Sequence, residues 1–252
     1  MGCHLGKASV RGDALRCPLH FRRIGADGAF SAHPALRQPT LPLREYLGGL
    51  FVWIGDPAAR TDLAALGLDG DTACHAGEHT FDLPWQWLVA NGLDIEHLSA
   101  VHDRRLLDPP TLERTAHALA IGYRTTPTAR TLSDRIMRHL APDGIRGNIR
   151  ALSGTMMLVE SRVGGRRTFI LLSFLPQSGG GTLIRGIVGV RGAPTLPRRL
   201  AAHAARLLFR AFLNKDLGVL DGIDWHEPAH ADSLGDRFTR QVCDWFRALP
   251  SA

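Results

Sequence analysis

The chain has 252 residues, of which 44% are hydrophobic, and its formal net charge is +6 at pH 7. This length suits one large domain or one domain with a small second one, and the composition predicts a buried core rather than a disordered chain. The four cysteines form no disulfide pattern, residues 1–30 contain no apolar leader, and the longest apolar run, 169–175, is too short for a membrane span. We therefore expect a cytoplasmic protein with no membrane span. Arginine is spread along the whole chain, which predicts a solvated basic surface rather than a nucleic-acid site.

The first part of the chain consists of short apolar segments separated by glycine and proline. Residues 48–57, "GGLFVWIGDP", predict a strand that ends in a turn, because β-branched and aromatic residues precede a Gly-Asp-Pro sequence. Residues 58–79 predict a loop with a short helix, and we place a domain boundary there. Residues 85–100 then predict a helix, since their apolar positions recur at helical spacing.

Residues 112–190 predict a succession of strands, with residues 178–181 as the turn between the last two. Because this Gly-rich turn links two strands and does not open a helix, we favour a hairpin over a phosphate-binding loop. Residues 196–221 predict the longest helix. Its apolar positions predict the face that packs on the sheet: Leu200, Ala204, Leu207, Leu208, Ala211 and Phe212.

Residues 91–102, "NGLDIEHLSAVH", concentrate polar side chains within a helical stretch. Asp94 and His97 are three residues apart and share one helix face. His102 lies about 140° further around an ideal helix, so the two imidazoles converge only where the helix ends or distorts between them. If they converge, two imidazoles and a carboxylate suit non-haem Fe(II), with Asp94 as a ligand or as the group that orients a histidine. The alternative is two unrelated histidines near a helix end.

The spacing Asn-x-x-Asp-x-x-His-x-x-x-x-His in this segment resembles the mononuclear iron motif of the Rieske non-haem iron oxygenases, large (alpha) subunit, at all four positions. The resemblance implies that His97 and His102 bind the iron. It also implies that Asn91 and Asp94 lie beside the iron as catalytic residues.

The family's third iron ligand is a carboxylate on a late helix. Asp216, in "NKDLGVLDGI", resembles that context, so the resemblance implies that Asp216 completes the iron site. Asp221 and Asp224 are the competing carboxylates.

The N-terminal region carries half of a second metal motif of this family. A Rieske 2Fe–2S centre is bound by two cysteines and two histidines, and "CPLH" supplies Cys17 and His20. The partner Cys-x-His is missing, since Cys3 and His4 are adjacent and too close to Cys17. We therefore expect Met1 to be an internal methionine of a longer reading frame, with the missing ligands upstream. The alternatives are a true truncation, or an atypical site of Cys3, His4, Cys17 and His20 that could also hold zinc.

For the fold, the resemblance implies an α+β protein. Residues 1–58 would form a small, incomplete all-β Rieske-type domain, and residues 59–252 a catalytic domain in which helices cover an antiparallel sheet. By the same resemblance the protein forms homotrimers, and hydrogen bonds run from His20 of one subunit through Asp94 to His97 of the next.

The implied function is oxidation of an apolar small molecule by O2, with electrons from NAD(P)H delivered by a ferredoxin or flavin reductase. Weak sequence similarities favour a ring or steroid-like substrate, and a chain without an intact Rieske centre is incomplete for turnover. Two other interpretations stay open. One is a non-catalytic module that binds a hydrophobic ligand, and the other is a zinc-binding basic protein that uses the N-terminal cysteines and histidines.

Overall fold

The computed structural model describes residues 4–55, 60–128, 132–163, 165–220, 222–223 and 233–249. The chain divides into two compact units, the first formed by Met1–Arg44 and Leu50–Pro57 and the second by Glu45–Gly49 and Ala58–Ala252. The predicted boundary between residues 58 and 59 lies outside the described residues and stays a prediction. Also outside them are the predicted Asp56-Pro57 turn, Met1, Cys3, Asp221 and Asp224.

The first unit is all-β. Its antiparallel sheet follows a short 3-10 helix at Leu5–Lys7 and has strands in chain order: β1 (Ser9–Arg11), β2 (Ala14–Arg16), β3 (Arg23–Gly25), β4 (Ala29–Phe30) and β5 (His33–Arg37). Next in the chain is a hairpin of β6 (Leu43–Tyr46) and β7 (Gly49–Val52), of which residues 45–49 are counted with the second unit. The strand predicted within residues 48–57 is confirmed. The strands are short because tight turns interrupt them. Gly28 lies in one such turn at φ 79°, where any side chain would meet the Gln38 carbonyl.

The second unit is built on an eight-stranded antiparallel sheet, ordered β10-β11-β12-β13-β14-β15-β8, with β9 paired to β11. Its strands are β8 (Thr72–Phe81), β9 (Arg104–Leu106), β10 (Thr111–Arg114), β11 (Ala118–Pro127), β12 (Ile145–Leu152), β13 (Met156–Val163), β14 (Arg166–Pro176) and β15 (Thr182–Val190). The succession of strands and the turn between the last two are confirmed. The loop predicted for residues 58–79 is wrong from Thr72 onward, because β8 has a mixed polar sequence that lacks a clear strand pattern.

The described part of this unit also contains a 3-10 helix (Leu63–Leu66) and these helices: α1 (Trp85–Leu93), α2 (Ile95–Ala100), α3 (Leu132–Leu140), α4 (Leu196–Leu220) and α5 (Leu234–Ala248). The helix predicted for residues 85–100 is two helices that meet at Asp94, and α3 interrupts the predicted strands. The long helix is confirmed and ends at Leu220. Within the described residues, no helix combines the length and the apolar composition that a bilayer crossing requires.

The core of the second unit lies where α1, α2 and α5 pack against the sheet, and its largest fully buried side chain is that of Trp245. The predicted α+β class is confirmed.

The prediction of which face of α4 is buried is largely wrong. Leu200, Leu207 and Leu208 on that face are 55–63% exposed. The helix instead turns Ala202 toward β8, where the Cys74 thiol donates a hydrogen bond to the Ala202 carbonyl at 3.6 Å. A small residue allows this close approach, so the face that carries Ala202 packs on β8 and β15.

Candidate metal centre

Asp94 ends α1 and begins α2. Its backbone is extended, with ψ 111°, and its Oδ1 accepts hydrogen bonds from the amides of Glu96 at 2.8 Å and His97 at 3.3 Å. A carboxylate at this position accepts hydrogen bonds from amides that have no partner inside the helix. The positive end of the helix dipole also stabilises its negative charge. Asp94 therefore separates α1 from α2, so that α2 does not continue α1 as one helix.

The short helix α2 is fixed at both ends. At its start, Glu96 Oε1 accepts a 3.0 Å hydrogen bond from the Gly235 amide in the first turn of α5. At its end, Val101 is the C-cap, and Asp103 takes a positive φ of 54° that turns the chain sharply. His102 thus lies beyond the helix. This is the condition under which the sequence predicts that the two imidazoles converge.

Asp216 on α4 meets both histidines. Its Oδ1 lies 2.7 Å from His97 Nε2 and 2.8 Å from His102 Nε2, and the two Nε2 atoms are 3.1 Å apart. The side chains of His97, His102 and Asp216 are only 9%, 1% and 15% exposed. Of the three carboxylates considered for the third position, Asp216 is the one that the structure describes, and it lies at the site.

The protonation states of these groups favour metal binding. Burial lowers the pKa of His102 and outweighs the opposing effect of the Asp216 carboxylate. Burial also disfavours ionisation of Asp216, but hydrogen bonds from His102 and His97 prevail, so the pKa of Asp216 is lowered. Both shifts favour the neutral imidazole and the ionised carboxylate, which are the forms that act as ligands.

The donor atoms fit a metal ion. Nε2 or Nδ1 of each histidine and a carboxylate oxygen lie within 4.8 Å of one another, and the described residues contain no other such group of three His, Cys, Asp or Glu side chains. The short polar contacts of the three side chains are with one another. His102 Nδ1 is buried and has no hydrogen-bond partner in the described residues. Two imidazole nitrogens and one carboxylate oxygen suit non-haem iron(II) and are also accepted by zinc.

Two further residues of α4 support this arrangement. The ring of Phe212 stacks on the His102 ring, with centroids 3.3 Å apart and an interplanar angle of 7°. Lys215 Nζ donates hydrogen bonds to the Val101 carbonyl at 3.4 Å and to Asp103 Oδ2 at 3.3 Å. Sequence reasoning did not assign either residue to the site. The spacing could have found Phe212, since a residue four positions before Asp216 lies on the same helix face.

The remaining predicted site residues lie elsewhere or have other contacts. Asn91 is half-buried in the last turn of α1, and its carbonyl accepts the Asp94 amide at 3.2 Å. In the first unit, Cys17 is half-buried and accepts the Phe21 amide at 3.0 Å through its carbonyl, while His20 is exposed in the same turn. His4 Nδ1 accepts the Gly6 amide at 3.1 Å. Cys3, which the atypical zinc site would also need, lies outside the described residues. The iron–sulfur site of Cys17 and His20 stays a prediction.

Comparison with known proteins identifies the relatives of this chain. No family model matches the sequence. Over 108 residues the chain is 32% identical to the oxygenase component of chloroacetanilide N-alkylformylase from Rhizorhabdus wittichii (strain DC-6 / KACC 16600). That match covers 38% of this chain and 31% of the length of that relative.

Similar solved structures cover nearly the whole chain. Dicamba monooxygenase bound to dicamba gives a TM-score of 0.63 at 15% identity, over 96% of this chain and 82% of that one. NdmA of Pseudomonas putida CBB5, solved with caffeine, gives 0.64 at 17% identity, over 96% of this chain and 74% of that one. At these identities the likeness shows a shared fold. All three relatives are Rieske non-haem iron oxygenases, so the resemblance found in the sequence is confirmed.

Proposed function

We propose that this chain, which resembles the Rieske non-haem iron oxygenases in motif and in fold, binds Fe(II) through His97, His102 and Asp216 and oxidises an apolar small molecule with O2. The observation that carries the proposal is the convergence of two imidazole Nε2 atoms and one carboxylate oxygen in a buried site, with separations of 2.7, 2.8 and 3.1 Å. Two imidazoles and a carboxylate on one side of an iron ion leave positions open on the other side.

Iron(II) in this donor set supplies the redox chemistry that activates dioxygen. The residues of the chain prepare the site for it. Phe212 covers one face of the His102 ring and excludes water there. Asp94 fixes the start of α2, which carries His97, and Lys215 holds the segment that carries His102. Asp216 supplies the negative charge that partly balances a divalent ion.

The electron supply is the second part of the proposal. Cys17 and His20 would provide two of the four ligands of a 2Fe–2S cluster, reduced by a ferredoxin or flavin reductase. In a homotrimer, His20 of one subunit would reach His97 of the next through Asp94. This role is compatible with the capping role of Asp94, because only its Oδ1 is used by the helix amides and Oδ2 makes no hydrogen bond in the described residues.

The proposal is tested by iron content. Protein is loaded anaerobically with Fe(II), freed of excess metal and analysed by plasma mass spectrometry. We expect about one iron per chain in the second unit, and a loss of affinity of more than about 100-fold for His97→Ala, His102→Ala or Asp216→Ala. His139→Ala is the matched control, because His139 is exposed on α3.

Unchanged iron content in the His97→Ala/His102→Ala double variant would sink the proposal and favour a ligand-binding module. Zinc retained in preference to iron, and lost on replacing Cys17 or His20, would favour the zinc-binding interpretation.

A further inference from the structure

The side of α4 that faces away from the sheet carries an exposed leucine stripe. Leu196 and Leu200 lie one turn apart, and Leu207 follows seven residues later on the same side of the helix. Their side chains are 63–72% exposed, and Ala204 and Ala211 on this side are exposed as well. The three leucines span about 17 Å of the helix. Single exposed leucines are ordinary, but a row along one helix face indicates a surface that contacts another body.

Positive charge is concentrated around the leucine stripe. Arginine occurs throughout the chain, but residues 161–215 contain ten arginine and lysine residues and no aspartate or glutamate. This segment alone therefore exceeds the net charge of +6 that the whole chain carries. Arg199 and Arg210 lie on one flank of the stripe, about 60–80° around the helix from Leu207. Both are exposed, and neither makes an ion pair within the described residues.

Further cations gather where α4 begins. The Arg191 amide donates a 2.9 Å hydrogen bond to the carbonyl of Arg167, whose side chain is exposed. Arg198 lies beside Gly192, where an added Cβ would be 2.8 Å from the guanidinium carbon. Asp71 neutralises Arg191 at 3.2 Å, so Arg167 and Arg198 supply the free charge at this end. The leucine stripe is thus bordered by cations along its flank and at its start.

We propose that the leucine stripe and the arginines around it dock this protein on an anionic membrane surface. The helix would lie in the plane of the interface, with its leucines at the boundary between headgroups and acyl chains. Interfacial helices have this composition, with leucine on the apolar side and lysine or arginine beside it. Anionic lipid headgroups attract the basic residues, and the guanidinium of arginine matches the geometry of a phosphate.

The charge pattern disfavours other occupants of this face. A second copy docked stripe against stripe would bring the arginines of both chains together, and residues 161–215 supply no carboxylate to pair with them. Nucleic acid would neutralise the arginines, because its contacts are made chiefly through phosphates, but it would leave the leucine stripe without an apolar partner. An anionic bilayer satisfies both the leucines and the arginines.

Docking through this face would leave the metal centre free. Asp216 lies nine residues after Leu207, which places the two side chains on opposite sides of α4. Asp216 faces His97 and His102. Membrane binding therefore needs no iron, and it can be measured on the metal-free protein, separately from the iron assay.

The test is co-sedimentation of the metal-free chain with vesicles of phosphatidylglycerol and phosphatidylcholine in equal parts, and with vesicles of phosphatidylcholine alone. We expect binding to the anionic vesicles to be at least about tenfold tighter. Since each cation near an anionic surface contributes about fivefold, Arg199→Gln/Arg210→Gln should weaken this binding about 25-fold. Leu200→Ser/Leu207→Ser should weaken it at least about tenfold, whereas Leu207→Trp keeps an apolar side chain suited to the interface and should retain it.

The matched controls lie on α3, which packs on β11, whereas α4 packs on β8 and β15. They are Arg135→Gln/Arg138→Gln and Leu140→Ser, because these three side chains are also exposed. Equal loss of binding in these controls would overturn the proposal. So would a failure to bind anionic vesicles, or equal binding to both kinds of vesicle.

Two further outcomes would assign the face to another occupant and overturn the proposal. If the arginine variant loses binding but the leucine variant does not, the surface recognises charge alone, as expected for an acidic macromolecule. If the leucine variant converts an oligomer into monomers in sedimentation velocity without vesicles, the stripe contacts a second copy.

Discussion

The two units of this protein differ in the size of their hydrophobic cores. Among the described residues of the first unit, only Ala14 and Ile24 are buried apolar side chains, while Val10, Leu43, Leu50 and Ile54 are 61–73% exposed. The second unit buries a continuous cluster that includes Leu93, Ile121 and Trp245.

This difference separates the two predicted metal sites. His97, His102 and Asp216 belong to the unit that its own core stabilises, whereas Cys17 and His20 belong to the unit with little core. Domains with small cores commonly depend on a bound metal or a partner for stability. The group of His97, His102 and Asp216 is therefore held in place by packing, whereas a bound group would add proportionally more stability to the first unit.

The largest expected effect is on core packing. Leu93→Ala removes a fully buried side chain from the cluster of the second unit and should lower the free energy of unfolding by about 2–5 kcal/mol. Ile24→Ala should leave the unfolding of the second unit unchanged. Urea denaturation monitored by circular dichroism measures both, and equal effects of the two variants on one shared transition would contradict this prediction.

Alkaline pH should weaken the second unit specifically, because both tyrosines of the chain, Tyr46 and Tyr123, lie in it. Burial raises the pKa of Tyr123 from 10.0 to about 12. Between these values the unfolded chain ionises while the folded chain stays protonated, so stability is intact below pH 10 and falls as the pH rises toward 12, by on the order of 2 kcal/mol.

Ultraviolet absorbance of tyrosinate measures this effect. Burial also raises the pKa of Tyr46, so the folded protein should show little tyrosinate at pH 10. Tyr123→Phe should reduce the loss of stability between pH 10 and 12. A variant with the same alkaline loss as the parent would show that another group is responsible.

Two variants of Asp94 test its structural role as the cap of α2, which is separate from the role between subunits proposed above. Asp94→Ala removes the cap of α2 and should cost about 1 kcal/mol and weaken iron binding, because His97 lies on that helix. Asp94→Asn keeps an acceptor oxygen and should retain most of the stability. Thermal denaturation measures the loss of stability, and iron titration measures the loss of iron affinity. An equal loss of stability in Asp94→Ala and Asp94→Asn would argue against the capping role.

The smallest expected effect concerns Lys215. The chain has two lysines, Lys215 beside the metal ligands and Lys7 in the first unit. Lys215→Met should change stability by less than about 1 kcal/mol, because its ion pair with Asp103 is partly exposed. It should weaken Co(II) binding several-fold by freeing the segment around His102, whereas Lys7→Met should not. Equal Co(II) affinity in both variants would exclude a positioning role for Lys215.

Local hydrophobic pattern was enough to predict the longer strands. Local spacing made His97 and His102 candidates but left two unrelated histidines near a helix end as an alternative, and the family resemblance favoured the pair. The third ligand depended on family resemblance, because only the packing of α4 on β8 and β15 brings Asp216 to the histidines. The buried face of α4 could not be predicted because the helix is apolar on two sides. Leu200, Leu207 and Leu208 form the more obvious stripe, yet the smaller Ala202 allows the closer approach.

The pairing of β8 with β15 also sets an order of events during synthesis. Thr72 and Val190 are partners in this ladder, and the whole rest of the sheet lies between them in the chain. The ribosome therefore releases His97 and His102 well before the platform on which α4 docks is complete, and Asp216 emerges later still. Pairings so distant in sequence form late and slowly. The donor set is thus assembled only after most of the second unit has been synthesised, so a metal ion at this site would be bound by a nearly finished fold and would not serve as a template for it.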